Sequence, residues 1–160
     1  MERIDRILKH PLFLKYVGEN EKEEEARIFC RHDMTHFLDV ARIAWILNLE
    51  EGAGIGREII YAAALLHDIG RHLQYRDKTP HEQASVMLAP PILRDCGFLK
   101  QEEEQILSAI AAHRDASVSG GKDLNGLLYR ADKLSRPCYA CKQESACDWK
   151  QGKKNSRLRY

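Results

Sequence analysis

Residues 59–70 read IIYAAALLHDIG, an apolar run that ends in the polar pair His67-Asp68 and is closed by Gly70. The apolar positions cover most of the circumference of a helix, which predicts a central buried helix over residues 57–67. Adjacent side chains on a helix point about 100° apart, so the pair faces inward together only if a common partner holds both. A divalent metal is such a partner, because imidazole and carboxylate groups both bind first-row metals. The pair alone also fits an ordinary helix end with Gly70 as the left-handed stop.

Helical spacing continues on both sides of this run, and we therefore predict an all-α fold. Further segments with apolar residues at intervals of three and four begin at Asp33, His81, Gln101 and Asp123. We expect Pro90 and Pro91 to break the helix that starts near His81, because proline removes a donor from the hydrogen-bond ladder. A polar loop is expected over residues 71–80, and only residues 156–160 could form an extended segment.

The charge balance is close to neutral, with 25 Lys and Arg against 24 Asp and Glu in 160 residues. Such a chain creates no global field that would attract nucleic acid or an anionic membrane. A chain of this length is one domain by size and buries a sufficient core without disulfides. It shows no apolar stretch long enough to span a bilayer and no signal-peptide core. Because five cysteines do not suggest a disulfide framework, we expect a soluble protein of the cytoplasm.

Four further titratable residues interrupt apolar helical faces elsewhere in the chain. They are His36, His81, His113 and Asp132. Each histidine alone is more often a satisfied core residue than a metal ligand. Together with His67 and Asp68, however, they form a set that is hard to desolvate without a compensating charge. A metal centre would supply that charge.

Three motifs follow one another in the order His, His-Asp, Asp. They are HFLDVARIA at residues 36–44, ALLHDIG at residues 64–70 and ADKL at residues 131–134. With this order the chain resembles the HD-domain superfamily of metal-dependent phosphohydrolases, in its small single-domain bacterial form. The resemblance implies a compact helical bundle and a divalent metal, and the ligands that it implies are His36, His67, Asp68 and Asp132.

Two more motifs, HEQAS at residues 81–85 and IAAHRD at residues 110–115, resemble elements of the relatives that bind two metals. In that subset the aspartate of the His-Asp pair bridges both ions, so the resemblance implies that Asp68 bridges here. His81 and His113 would then bind the second ion. The stretch between Asp68 and His81 is short, which leaves a second interpretation open. In that interpretation one metal is bound, and the two histidines contact a substrate phosphate.

Hydrolysis by a metal-activated water is the chemistry that this resemblance implies, because a divalent metal brings the pKa of bound water towards neutrality. We expect His67 and Asp68 to act in catalysis through the metal and Arg71 through the phosphate. Nearby cations would stabilise the charge that develops on the phosphoryl group, and the alternative for them is ordinary surface charge. The substrate-binding candidates are Arg71, His81, His113, Arg114 and Lys133, with His72 and Arg136 as further cations close to ligand positions.

The resemblance leaves the metal and the reaction open. The ligand set accepts one or two ions of Mn, Fe, Co, Ni, Mg or Zn. We expect a phosphomonoesterase or phosphodiesterase that acts on a small phosphorylated molecule, a nucleotide first of all, with neither a membrane nor nucleic acid as partner. Two alternatives stand beside it: a mixed-valence di-iron oxygenase of the same superfamily, and a non-catalytic module that senses a nucleotide or binds a partner. The oligomeric state is not fixed by the sequence.

The resemblance divides the chain into three parts of one domain. We predict an N-terminal helical segment over residues 1–30, the HD domain over residues 31–136 and a basic, cysteine-containing extension over residues 137–160.

Three cysteines of the extension form a Cys-x2-Cys-x5-Cys pattern: Cys138, Cys141 and Cys147. Two cysteines at the first of these spacings suit a structural zinc or an iron–sulfur centre. A fourth ligand would have to come from Cys30 or Cys96. The alternative is a compact loop with three reduced thiols.

Overall fold

The computed structural model describes residues 1–160, and all of its regular structure is helical. In chain order the α-helices are α1 (Glu2–Lys9), α2 (Pro11–Glu23), α3 (Met34–Glu51), α4 (Arg57–Leu66), α5 (Arg71–Asp77), α6 (His81–Asp95), α7 (Lys100–Ala112) and α8 (Leu124–Leu134). Short 3-10 turns cover Ala116–Gly120, Cys138–Ala140, Glu144–Ala146 and Gln151–Lys153. The prediction of an all-α fold is confirmed, and no strand forms at residues 156–160. None of the helices combines the length and the apolar character needed to cross a membrane.

Helix α4 lies at the centre of the bundle, as its apolar sequence predicts. Its last five residues, from Ala62 to Leu66, are completely shielded from solvent, and the helix packs against α3, α7 and α8. The alanines let neighbouring helices approach closely, and full burial of a leucine stabilises a fold by about 1.5–3 kcal/mol. Helix α4 therefore anchors the core and delivers His67 and Asp68, which follow it, to the middle of the protein.

Two of the helices around the core begin at aspartate caps. Asp33 caps α3 by accepting a hydrogen bond from the His36 backbone N–H at 3.1 Å. Asp123 caps α8 by accepting one from the Gly126 N–H at 3.0 Å. Each cap contributes about 1 kcal/mol, because it satisfies a free N–H of the first turn. The caps fix the starts of the two helices that carry His36 and Asp132.

Helix α6 continues through Pro90 and Pro91 to Asp95, so the prediction of a break there is wrong. The prolines cannot donate to the carbonyls one turn earlier, at Val86 and Met87. The Met87 side chain is exposed, so the solvent can satisfy these carbonyls. Burial of the opposite face holds the helix together against its local propensity. That face consists of Ala89, Ile92 and Leu93.

The polar stretch at residues 71–80 is also more regular than predicted. Instead of a loop, Arg71–Asp77 forms α5, which packs against α2 and α6. His72 anchors this helix, because it is buried and stacks on Tyr16 of α2 with ring centroids 5.8 Å apart. The compact helix turns the chain back, so a short connection suffices to place His81 close to the end of α4.

The extension after α8 differs from the rest of the chain. Residues 137–160 contain no α-helix and no buried residue. Asn155 ties them to the bundle, since its side-chain nitrogen lies 2.8–3.2 Å from three backbone carbonyl oxygens at the end of α8 and just beyond it. The extension thus lies against the bundle without a hydrophobic core of its own.

We expect Gly70→Ala to lower the free energy of unfolding by about 1–3 kcal/mol or more, because the site has no room for a side chain. A Cβ at Gly70 would lie 2.5 Å from the Ser85 backbone nitrogen and 2.6 Å from the Ala84 Cβ. Urea unfolding measures the change. Gly18→Ala is the matched control: nothing lies within 4 Å of a Cβ at Gly18, and alanine should stabilise this helix interior by up to about 1 kcal/mol. Equal midpoints for Gly70→Ala and the native chain would contradict this account of the turn.

Candidate metal centre

The first group of donor atoms comes from three helices. His36 lies in the first turn of α3, His67 directly follows α4, and Asp132 lies near the end of α8. Their donor atoms lie within 4.8 Å of one another. The Nε2 atoms of His36 and His67 are 3.3 Å apart, and His36 Nε2 is 3.6 Å from Asp132 Oδ1. Two imidazole nitrogens and a carboxylate oxygen are a common donor set for first-row metals.

The second group lies beside the first and is buried. It consists of Asp68, His81 and His113, whose donor atoms again lie within 4.8 Å of one another. His81 is the first residue of α6 and His113 directly follows α7. Their Nε2 atoms are 3.0 Å apart, and Asp68 Oδ1 lies 3.1 Å from the first and 3.6 Å from the second.

Asp68 belongs to both groups through its two oxygens. Oδ1 faces His81 and His113, whereas Oδ2 lies 3.2 Å from His67 Nε2 and 3.7 Å from His36 Nε2. One carboxylate therefore lies between two pairs of imidazoles. This is the geometry expected of a carboxylate that bridges two metal ions.

Two of the histidines are oriented by carbonyls of their own helices. His67 Nδ1 lies 2.7 Å from the Ala64 carbonyl oxygen. His113 Nδ1 lies 2.6 Å from the Ile110 carbonyl oxygen. A carbonyl can only accept, so Nδ1 donates in both rings and Nε2 carries a free lone pair. Hydrogen bonds of this kind fix the ring orientation and the tautomer that metal binding requires.

These free donor atoms fit a cation. The Nε2 atoms of His81 and His113 face each other at 3.0 Å, and Asp68 Oδ1 is a buried oxygen without a hydrogen-bond partner. An unpartnered buried carboxylate oxygen costs free energy. A divalent cation among the donor atoms removes that cost, so the donor set suits a metal.

The protonation states also suit a metal. Burial raises the pKa of Asp68, but the surrounding histidines, His67 first, outweigh burial and hold this pKa well below its usual value of 3.8. Burial also raises the pKa of Asp132, but nearby cationic groups, Lys133 first, outweigh burial and hold this pKa well below its usual value of 3.8. Burial lowers the pKa of His81 from 6.5 to about 3. At neutral pH the centre therefore presents two carboxylates and a neutral imidazole, the forms that bind metal.

Asn20, a buried residue of α2, holds the turn that carries Asp68. Its side-chain nitrogen donates to the Asp68 carbonyl at 2.8 Å, and its oxygen accepts from the His72 backbone N–H at 2.8 Å. Sequence reasoning missed this residue, because a single amide in an amphipathic helix resembles a surface position. The available signal was its helical spacing from Phe13 and Val17, which are also buried.

Glu24 and His32 form a supporting pair behind Asp68. The Glu24 carboxylate is buried and lies 2.5 Å from His32 Nδ1 and 2.6 Å from the Tyr75 hydroxyl. Burial raises the pKa of Glu24, but His32 outweighs burial and the pKa falls to about 2. His32 Nε2 lies 3.8 Å from Asp68 Oδ2, farther than the other histidines. Although Glu24 belongs to an acidic stretch of sequence, residues 19–25, its side chain is therefore part of the interior and not of the solvated surface.

A cavity of about 600 Å³ opens onto the centre between the helix bundle and the extension. Its acidic lining residues include the aspartates of the two donor groups, Asp68 and Asp132, yet basic residues dominate its wall. Two of these have buried nitrogens without a hydrogen-bond partner, Arg71 Nε and Arg136 Nη1. The cavity therefore suits an anionic ligand. Its basic lining residues are Arg27, Arg31, Arg71, Arg114, Lys133, Arg136, Lys153, Lys154 and Arg159.

One of the cations considered for substrate binding lies elsewhere. His72 is a buried residue of α5 that faces α2, where its ring nitrogen lies 3.1 Å from Asn20 Oδ1, and it does not line the cavity, so the interpretation of this residue as a substrate contact is wrong. Among the cysteines, Cys96 is buried in the hydrophobic core, whereas Cys30 and Cys147 line the cavity. The other substrate-binding candidates line it too: Arg71, His81, His113, Arg114, Lys133 and Arg136.

We expect Asn20→Ala to weaken metal binding roughly 10- to 100-fold, because the turn that orients Asp68 loses its support. The variant should also lose about 1–3 kcal/mol of stability, since it leaves the buried His72 N–H unpaired and removes one of the two hydrogen bonds to the Asp68 carbonyl. Isothermal titration with Mn²⁺ measures the affinity. Asn48→Ala is the matched control, because the buried Asn48 bonds both backbone groups of Ile55, away from the centre. An equal loss of metal affinity in both variants would contradict a positioning role for Asn20.

The sequence is similar to those of known proteins over most of its length. The family model of the HD domain matches residues 33–136. A protein of Clostridium beijerinckii, described as an uncharacterized protein, is 44% identical over 160 residues, which cover all of both chains. Ribonuclease Y 1 of Pediococcus pentosaceus is 29% identical over 126 residues, 79% of this chain and 22% of that protein. Ribonuclease Y of Enterococcus faecalis is 26% identical over 136 residues, 85% of this chain and 24% of that protein.

The chain thus spans about a quarter of the length of the ribonucleases that it matches. No solved structure matches it.

Proposed function

The chain belongs to the HD domain family, and we propose that it is a metal-dependent phosphohydrolase that acts on a small phosphorylated molecule, a nucleotide first of all. The observation that carries the proposal is the position of Asp68 between two groups of imidazole donors. A buried centre of this composition lies open to a basic cavity, so it combines a metal site with a place for phosphate.

We assign His36, His67 and Asp132 to one metal ion, His81 and His113 to a second ion, and Asp68 to both. The facing Nε2 atoms and the unpartnered Asp68 oxygen support the second ion. The alternative with one ion and a phosphate on His81 and His113 fits less well. Both rings are almost fully buried, and although they border the cavity, their Nε2 atoms lie close to each other and to Asp68 Oδ1.

A divalent metal supplies a water nucleophile at neutral pH and a Lewis acid for the phosphoryl oxygens. The chain itself supplies the cations around the substrate. Arg71 lies beside the second group and has a buried Nε free to donate to a phosphate oxygen. Lys133 Nζ is held 2.9 Å from the His113 carbonyl and 2.5 Å from Asp132 Oδ2. These positive charges would stabilise the charge that develops on the phosphoryl group in the transition state.

The size and the lining of the cavity favour a nucleotide. Its volume of about 600 Å³ lies within the range of small-molecule sites, roughly 300–1,000 Å³. Tyr129 and Trp149 line it and offer rings on which a base can stack. Two of the three relatives described above are ribonucleases. RNA is therefore the second substrate to test. The extension closes one side of the cavity, which favours a short substrate over a long strand.

We expect the manganese-loaded protein to hold two Mn²⁺ ions at the histidine–aspartate centre, counted by elemental analysis after removal of free metal. His113→Ala should retain one ion, because it removes a ligand of the second ion only. Asp68→Ala should retain none, because it removes the shared ligand. His10→Ala is the control, since His10 lies near Asp95 at the other end of α6, and it should retain both ions. A single ion in the native protein would contradict the two-metal assignment.

Hydrolysis of phosphate esters by the metal-loaded protein tests the proposed function. We expect activity on a panel of nucleotides and cyclic nucleotides with Mn²⁺, Co²⁺, Ni²⁺ or Fe²⁺, and its loss in Asp68→Ala. Activity on a short oligoribonucleotide alone would make RNA, and not a nucleotide, the substrate of the enzyme. Two bound irons with oxygen uptake on adding substrate would favour the oxygenase. No turnover by folded, metal-loaded protein would contradict the proposal.

In the same assay, Arg136→Ala should raise KM roughly 10- to 100-fold, because a hydrogen bond to a charged phosphate contributes about 1.5–3 kcal/mol. Arg136 Nη1 is buried without a partner, and its guanidinium lies 3.9 Å from the Trp149 ring centroid. Lys100→Ala is the control, because this lysine is 91% exposed and lies outside the cavity. An unchanged KM in Arg136→Ala would remove this residue from the substrate site.

A further inference from the structure

Three cysteines of the extension lie in successive short turns. Cys138 begins a 3-10 turn, and the Cys141 N–H donates to the Cys138 carbonyl at 3.2 Å. The Glu144 N–H donates to the Cys141 carbonyl at 3.2 Å, and the Cys147 N–H donates to the Glu144 carbonyl at 3.3 Å. Tight turns after cysteines are the local geometry by which a Cys-x2-Cys pair brings two thiolates to one metal.

A fourth thiol comes from a distant part of the chain. Cys30 lies between α2 and α3, and it lines the same cavity as Cys147. Burial of its thiol raises the pKa of Cys30 first, and the nearby thiolates of Cys138 and Cys141 raise this pKa further. Cys30 therefore lies on the wall of the cavity that the extension also lines. Cys96 does not, because it is buried in the hydrophobic core.

Lys154 contacts the turn that lies between Cys141 and Cys147. Its Nζ lies 2.8 Å from both the carbonyl and the Oε1 oxygen of Glu144. The hydrogen bond that Lys154 donates to Glu144 is the main reason that the pKa of Lys154 is raised, and the nearby Cys147 and Cys138 make smaller contributions in the same direction. The Lys154 ammonium therefore holds the turn at Glu144, which lies between Cys141 and Cys147.

Hydrophobic packing contributes little to the order of the extension. No residue from 137 to 160 is buried as a whole, and the shielded side chain of Lys154 ends in a charge, so the hydrophobic effect stabilises this segment only weakly. The segment nevertheless forms one wall of the cavity, with Trp149, Lys153 and Arg159 among its lining residues. In segments too small for a core, a bound metal supplies the missing stability.

We propose that Cys30, Cys138, Cys141 and Cys147 form a four-thiolate site for a thiophilic metal centre, which fastens the extension to the segment before α3. Zinc and an iron–sulfur cluster share this thiolate chemistry. The donor groups that lie within 4.8 Å of one another are the two histidine–aspartate groups. The thiols are therefore spread more widely, and binding of one tetrahedral zinc would draw them together. A cluster, in which each thiolate binds a different iron, needs less movement.

Metal analysis of the full chain purified without oxygen tests this site. We expect one zinc per chain, or iron with inorganic sulfide and a broad visible absorption band, in addition to the metal of the histidine–aspartate centre. Cys138→Ser/Cys141→Ser and Cys30→Ser should each lose this zinc or cluster, whereas Cys96→Ala should keep it. The same contrast should hold in the Asp68→Ala background, which separates the thiolate site from the centre of the proposed function.

Proteolysis supplies a second measurement that does not depend on activity. Trypsin should cleave after Lys142 and Lys150 at least about tenfold faster in Cys138→Ser/Cys141→Ser than in the native chain or in Cys96→Ala, because the extension is released. Helix content should stay the same, since residues 137–160 contain no α-helix. Equal metal content in the cysteine variants and the native chain would overturn the proposal. So would tryptic cleavage that is independent of the cysteines.

Discussion

The structure depends on the burial of one carboxylate. The Asp68 side chain is almost fully removed from solvent, and an isolated buried charge costs many kcal/mol unless other charges and hydrogen bonds compensate it. Imidazoles approach Asp68 from α3, α6 and the ends of α4 and α7, so the helices that form the core also provide the compensation. The packing of the bundle and the assembly of the centre therefore depend on each other.

The C-terminal ends of two helices supply and orient two of the imidazoles that surround Asp68. His67 and His113 each lie one position beyond the last residue of a helix, where carbonyls of the final turn lack partners within the helix. Each ring donates to the carbonyl three residues earlier, Ala64 or Ile110. One hydrogen bond therefore satisfies a carbonyl at the helix terminus and also leaves Nε2 of the ring available as a donor atom. The same local solution at α4 and α7 gives one oriented histidine to each donor group.

Residues with a local signature could be predicted from the sequence, and residues defined by distant partners could not. The buried face of α4 and its His67-Asp68 end are visible in twelve consecutive residues. Asn20 and Glu24 have no such signature, because their partners at Asp68 and His32 are defined only by the fold. Helix α5 was missed for the same reason, since stacking on α2 stabilises a polar stretch that has weak helical periodicity.

The part of the cavity outside the family match has a different role from the part inside it. The match covers residues 33–136, which include every histidine and aspartate of the centre, whereas the extension adds an aromatic ring and several cations to the opposite wall. Fold and metal centre do not fix a substrate, because many reactions share one scaffold. Discrimination has to come from groups that contact the rest of the substrate. Under the proposed function, the extension would select the substrate and the helix bundle would perform the chemistry, so order in residues 137–160 would bear on specificity as well as on stability.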